Sequence, residues 1–242
     1  TTTLAAMMDH RNERQSGHIL TIEEPIEFLF KNKKSIVNQR EIGADTISLD
    51  VALRNALRQA PDCILIGEIR DKETMTAAIA YAQSGHLCVA TLHANNSYHA
   101  LNRIVSFFPL ESRQTLLSDL SAALRSVISQ RLIRARSGGR MPAVEVMLNT
   151  RHVAELIERG EINAIKEAME KSLSPGSQTF EQALYRMIRE EKITEEEALS
   201  FADSPTNLLW LINNAPVLVE PEALEASQTQ STTSFQEFTL NA

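Results

Sequence analysis

Cysteine is nearly absent, with Cys63 and Cys88 alone among 242 residues. Both lie inside apolar runs rather than in the paired spacings of a metal site or disulfide framework, so they read as small core residues of a reduced, cytosolic protein. No apolar stretch approaches the ~20 residues of a membrane-crossing helix, and the start has no secretory-leader pattern. Aromatic residues make up only 5%, with one Trp, and no basic strip with interleaved aromatics is present for single-stranded nucleic acid to stack on. Positive charge is in deficit, 24 Lys+Arg against 31 Asp+Glu for a formal net charge of −7. An acidic chain binds polyanions poorly, so no nucleic acid is expected as partner and a DNA-translocating enzyme ranks last among the readings. What is present is 43% hydrophobic content, which excludes wholesale disorder, in a length that suits one large α/β domain or a domain with an appendage.

The hydrophobic pattern predicts helix over 1–12, a strand at His18–Ile22, and a mixed stretch over 28–47 with a hairpin around Asn32-Lys33-Lys34. Leu49, Leu53, Ala56, Leu57 and Ala60 recur at helical spacing until Pro61 stops them. Cys63–Ile66 is too short for a helix and suits a buried parallel strand. Asp71 caps a helix over 72–84, a third strand covers 87–92, and another helix covers roughly 97–107. Strand and helix in alternation imply right-handed crossovers and a parallel sheet covered on both faces. Farther on, a long helix is expected over 111–135, with Arg131, Arg134 and Arg136 opposing its dipole at the C-terminal end. A half-exposed strand follows at 143–148, then short helices with capping boxes at Thr179/Gln182 and Thr194/Glu197 and a Ser204-Pro205 start. The boundaries read as a core over 1–150, a helical region over 151–215, and a disordered acidic tail over 216–242, where Glu is present and Lys and Arg are not. The first residues open in mid-helix, so the chain reads as the C-terminal part of something longer.

Ligands of such sheets bind beyond the carboxyl ends of the strands. Those ends carry Glu23/Glu24, then Glu68, then His93. Each has a plain reading beside a chemical one. Thr1-Thr2-Thr3-Leu4-Ala5-Ala6-Met7 is an Ala-rich helix, or the helix that follows the glycines and lysine of a phosphate-binding loop. Glu68, after Cys63-Ile64-Leu65-Ile66-Gly67, is an acid ending a strand, or the carboxylate that orders a magnesium shell and orients attacking water. His93, in Thr91-Leu92-His93-Ala94-Asn95, is structural, or donates to a γ-phosphate. Glu23-Glu24-Pro25-Ile26-Glu27 is a solvated acidic turn, or an anionic cluster that handles water or metal.

Taken in order, these segments resemble the secretion ATPase superfamily of type II and type IV pilus motors, and within it the PilT/PilU retraction ATPases. The resemblance covers residues 1 to about 215 and rests on Thr1–Met7 as the continuation of the P-loop and Thr21–Glu27 as the Asp box. Gly67-Glu68-Ile69-Arg70-Asp71 matches the Walker B segment and Thr91–Asn95 the His box. Asn38-Gln39-Arg40-Glu41, Ile128-Ser129-Gln130-Arg131-Leu132 and Gln178–Leu184 match further segments. Two departures stand out. The P-loop lysine is not in this sequence, so the segment alone is expected to hydrolyse ATP poorly. Ala164-Ile165-Lys166-Glu167-Ala168-Met169-Glu170 replaces the family's Ala-Ile-Arg-Asn-Leu-Ile-Arg, a divergence closer to PilU, the accessory paralogue.

The resemblance implies a RecA-like P-loop NTPase core followed by a helical region, assembled as a homo-hexamer with ATP and Mg2+. Thr1 would bind the metal and, with Thr2, the nucleotide. Glu68 would be the Walker B acid and a metal ligand, Glu23 and Glu27 the Asp-box carboxylates with Glu24 in place of the usual Asp, and His93 the γ-phosphate sensor. Arg40 and Arg70 would partner these acids or phosphate. The implied task is ATP-driven type IV pilus retraction from the cytoplasmic face of the inner membrane, acting on a membrane platform protein. The alternative is a largely non-catalytic subunit that reinforces a related retraction ATPase ring.

Overall fold

The computed structural model describes residues 1–172 and 174–214; the tail expected over 216–242 lies outside them. The chain opens with α1 (Thr2–Arg14), whose last turn carries Arg11 and Arg14 where cations oppose the helix dipole. Then come β1 (Gly17–Glu23), β2 (Ser35–Glu41), α2 (Leu49–Ala56), β3 (Cys63–Ile66), α3 (Lys72–Gln83), β4 (Leu87–Ala90) and α4 (Ser97–Ser106). Side chains set the helix starts: Ser48 accepts from the Val51 amide, Asp71 from Thr74 at 2.8 Å, and Asn96 from His99 at 2.8 Å. The helix from Leu49 tightens into a 3-10 turn at Leu57–Gln59, and Ala60 turns left-handed just before Pro61.

All four strands pair in parallel, in the order β2-β1-β3-β4. Alternation sends Leu20, Ile22, Ile64 and Ile66 into the larger core, and Ile19, Cys63 and Leu65 toward Met8 of α1. Helices therefore cover both faces, as the alternating pattern predicts. Each fully buried Ile here contributes roughly 1.5–3 kcal/mol. Burial also pushes the Cys63 thiol up to about 11 and the Cys88 thiol to about 12, as suits inert core residues.

Three expectations are corrected. Residues 28–47 form no hairpin; β2 pairs in parallel with β1 as an edge strand, Gly17 opposite Ser35 through Glu23 opposite Glu41. The third strand of the alternation ends at Ala90, leaving Thr91 and Leu92 in the loop that carries His93. The long helix over 111–135 is instead α5 (Arg113–Ala123) followed by β5 (Ser126–Arg134), with Leu124 extended between them. β5 pairs antiparallel with β6 (Arg140–Leu148). Arg131 and Arg134 thus lie on a strand and Arg136 beyond it, so none of the three caps a helix dipole.

The remaining elements are α6 (Arg151–Arg159), α7 (Ile165–Glu170), α8 (Phe180–Arg189), α9 (Glu195–Phe201) and α10 (Pro205–Asn214). Thr179 and Gln182 form the expected capping box. At α9 the box is half made: Thr194 accepts from the Glu197 amide, but Glu197 Oε1 takes the Arg134 amide at 3.0 Å. Val153, Leu156 and Ile157 of α6 and Ile165 and Met169 of α7 join the sheet's core. Helices α8, α9 and α10 build a second core on Ile133 and Ala143 of the β5–β6 hairpin.

Candidate nucleotide site

The strand tips meet at one edge. Gly67 donates its amide to the Ile22 carbonyl at 2.8 Å, and Ile69 to the Thr91 carbonyl at 3.0 Å, while the Thr91 hydroxyl donates to the Gly67 carbonyl. A Cβ on Gly67 would stand 3.2 Å from the Ile22 oxygen and 3.3 Å from Glu23 Cα. Glycine is what lets the β1 and β3 tips come this close.

A cleft of about 280 Å³ opens on this edge, lined by Thr1, Glu23, Glu24, Glu27, Phe28, Gly67, Glu68, Arg70, Thr91 and His93 among others. Glu68 lines it with both oxygens engaged. Oε2 accepts from Arg70 Nε at 2.7 Å, and Oε1 lies 3.0 Å from His93 Nε2. Arg70 also donates through Nη1 to Glu24 Oε2 at 3.2 Å. Hydrogen bonding to Glu68, its charge, and then Glu24 raise the Arg70 guanidinium above its ordinary range. Thr1 Oγ1 donates to Glu27 Oε1 at 3.2 Å. Glu23 is the buried member of the group; its Oε1 accepts from Thr21 Oγ1 at 2.6 Å and from Gln39 Nε2 at 3.1 Å.

Of the residues singled out by sequence, Thr1, Glu23, Glu27, Glu68, Arg70 and His93 share this one cleft. Arg40 and Thr2 do not line it. Arg40 pairs in register with Ile22, so it leaves the sheet on the face opposite Glu23. Sequence reasoning missed its two neighbours. Gln39 takes the Phe30 amide at 2.9 Å and donates to the Phe28 carbonyl at 2.9 Å, and Glu41 Oε2 takes the Ile26 amide at 3.0 Å. Together they fasten the acidic loop. The stretch 37–41 carries no apolar alternation that would mark it as a strand beside β1, so no signal in the sequence put them on the cleft side.

Four carboxylates against one guanidinium leave the cleft strongly anionic. A bare triphosphate would be repelled, whereas one bound with a divalent cation fits a donor set of hydroxyl and carboxylates. The amides at the start of α1 offer a complementary seat for phosphate oxygens.

A parallel sheet flanked by helices on both faces, with a hydroxyl, carboxylates and an imidazole converging at its carboxyl edge, is a RecA-like core. The chain belongs to the type II/IV secretion system protein family, whose model matches residues 1–200. It is 49% identical over 212 residues to the type IV pilus ATPase PilU of Pseudomonas aeruginosa, covering 87% of this chain and 56% of that protein. Against the type IV pilus retraction ATPase PilT of the same organism the identity is 43% over 206 residues, 85% of this chain and 60% of the relative. The crystal structure of the pilus retraction motor PilT with bound ADP superposes with a TM-score of 0.79 at 42% identity, over 85% of this chain and 58% of that one. The chain thus spans somewhat more than half the length of these relatives. Among the described residues no helix is long and apolar enough to cross a membrane.

Proposed function

We propose that this chain forms the catalytic edge of an ATP-hydrolysing motor subunit that powers type IV pilus retraction. The observation that carries the reading is the meeting of Thr1, Glu23, Glu27, Glu68 and His93 in one cleft at the sheet's carboxyl edge. The names of the relatives, and the ADP in the PilT structure, supply the substrate class. Thr1 and Glu68 are the residues that would hold magnesium, which when bound neutralises phosphate charge. Phosphoryl transfer then needs mostly positioning and electrostatics from the protein. Glu68 orients the attacking water and takes its proton. Glu68 Oε1 lies 3.0 Å from His93 Nε2, a contact that Glu68 gives up to serve as base. A γ-phosphate oxygen offers His93 Nε2–H an alternative acceptor, and the switch frees the carboxylate only when substrate is bound. Glu23 and Glu27 keep the acidic loop charged and ordered around Thr1. Arg70 bridges Glu68 and Glu24 and offsets part of their mutual repulsion.

In the cell the reading places the subunit in a homo-hexameric ring at the cytoplasmic face of the inner membrane. There, domain rotation on nucleotide binding would work on a platform protein and withdraw pilin. The test is Glu68→Gln in the full-length protein. Loss of a general base lowers kcat by about 100-fold or more, with ATP binding retained. Unchanged turnover would remove Glu68 from the reaction and overturn the reading.

A second reading is favoured by residues 164–170. There Lys166 pairs with the buried Glu181 at 2.9 Å, in a stretch that departs from the retraction-motor pattern. A subunit of this kind would reinforce a related ATPase ring, its own hydrolysis dispensable. Pilus retraction surviving in a Glu68→Gln strain favours this second reading over the first.

A further inference from the structure

The segment Ile128-Ser129-Gln130-Arg131-Leu132 lies on β5, outside the sheet that builds the cleft, yet it touches the cleft's surroundings twice. Gln130 Oε1 accepts from Thr3 Oγ1 at 2.8 Å, in the first turn of α1. Arg131, its neighbour, points to the opposite side of the strand. There its guanidinium has four partners from three parts of the chain. It forms an ion pair with Asp203, donates to the Phe201 carbonyl at 2.5 Å and to the Asn95 carbonyl at 3.2 Å, and stacks 4.0 Å above the Phe180 ring. Asp203 in turn accepts from Asn96 Nδ2 at 2.9 Å. Asn95 and Asn96 end the loop that begins at Thr91 and carries His93. The start of that loop is already fixed to Gly67 through the Thr91 hydroxyl.

We infer that Arg131 is a positioning residue for His93. The loop 91–96 is a span pinned at two ends, by Gly67 at one and by the Arg131–Asp203 pair at the other. Between the pins only His93 reaches the cleft, through its 3.0 Å approach to Glu68. The pair is largely buried, 18% and 20% exposed, so solvent screens it little. A planar fork is required, since one ammonium cannot serve a carboxylate, two carbonyls and a ring face together. Because Phe201 ends α9 and Asp203 lies in the segment joining α9 to α10, the same contacts tie the His93 loop to the helical C-terminal part. The inference rests on the nucleotide-site reading above.

The experiment uses the full-length protein and a double-mutant cycle between Arg131→Gln and His93→Ala, with Arg131→Lys and Asp203→Asn alongside. Expected for Arg131→Gln is a fall in kcat of about 10- to 100-fold from misplacement of His93, with KM for ATP nearly unchanged. Arg131→Lys should rescue little of it, and Asp203→Asn should fall in the same direction. In the His93→Ala background Arg131→Gln should cost almost nothing further. Effects that multiply would overturn the inference, because Arg131 would then act independently of His93. A second readout needs no turnover. Hydrogen exchange of the 91–97 segment in nucleotide-free Arg131→Gln, or Asp203→Asn if the former does not fold, should quicken relative to the rest of the sheet. Unchanged protection there overturns the inference whatever the enzyme does. Normal turnover in Glu68→Gln with quickened exchange would instead condemn the nucleotide reading and leave the positioning role standing.

Discussion

At the scale of single residues, the cleft depends on a missing side chain as much as on those present. The atoms that a Gly67 Cβ would meet, the Ile22 oxygen and Glu23 Cα, are both backbone of the central strand, which cannot rotate aside. Gly67→Ala is therefore expected to push the β1 and β3 tips apart by a few tenths of an ångström. Overpacking of this kind costs about 1–3 kcal/mol, read as a lowered midpoint in urea unfolding. It should also weaken the contact between Glu68 and His93, because Glu68 is the next residue. A midpoint equal to that of the parent protein would mean the two tips are not in tight contact. The placement of Glu23 and Glu68 at the cleft was legible for a related reason. Glu68 follows directly on the apolar run Cys63–Ile66 and Gly67, and Glu23 closes β1, so both reach the sheet's carboxyl edge, while His93 reaches it from the loop beyond Ala90. Arg40 does not line the cleft, because the pleat of β2 sends it to the face opposite Gln39 and Glu41.

At the scale of elements, β2 shows why an edge strand is hard to read. Its inner-face residues Gln39 and Glu41 are polar because they serve a loop and a carboxylate rather than a core, and Ile36 is 59% exposed. No apolar alternation survives to announce a strand. β5 hides for the opposite reason. Ser129 and Ile133 face inward, but the outward positions carry Ile128 and Leu132, 41% and 58% exposed. With apolar residues on both faces, the helical period of α5 runs on in the sequence through Val127 and Ile128. The β2 contacts make a prediction of their own. Gln39→Ala removes one acceptor from the Phe30 amide and one donor to the Phe28 carbonyl and Glu23. Each such bond is worth about 1 kcal/mol net. The larger consequence is local: the acidic loop loosens, the Phe30 amide loses protection from hydrogen exchange, and ATP affinity falls. Full Phe30 protection in the variant would show that Glu41 holds the loop unaided.

At the scale of the whole molecule, two cores share the β5–β6 hairpin, and a set of charges is enclosed where they join. Glu145 on β6 is 3% exposed, and its Oε1 accepts from the Ser97 amide at 2.7 Å, at the start of α4. Asp203 and Arg131 act on it across the junction, and nearby Glu181 pairs with Lys166 and takes the Ser204 amide at 2.7 Å. Burial raises the Glu145 pKa, the nearby Asp203 charge adds to this, and the bonds from Ser97 and the charge of Arg131 work against it. The carboxyl thus holds its proton more tightly folded than unfolded. Between the ordinary carboxylate pKa of about 4.3 and the raised one, the native state binds more protons than the unfolded chain. Stability from this group is present at low pH and is lost as pH rises through the raised value. Glu145→Gln keeps an acceptor for the Ser97 amide and removes the charge. It should therefore be more stable than the parent at pH 7 by chemical denaturation, with the difference shrinking to nothing toward pH ~4, where the parent carboxyl is itself protonated. A variant less stable at neutral pH by the same measurement would mean that the charge-assisted bond to α4 outweighs burial. The joint between the two cores would then be held by that anion rather than strained by it.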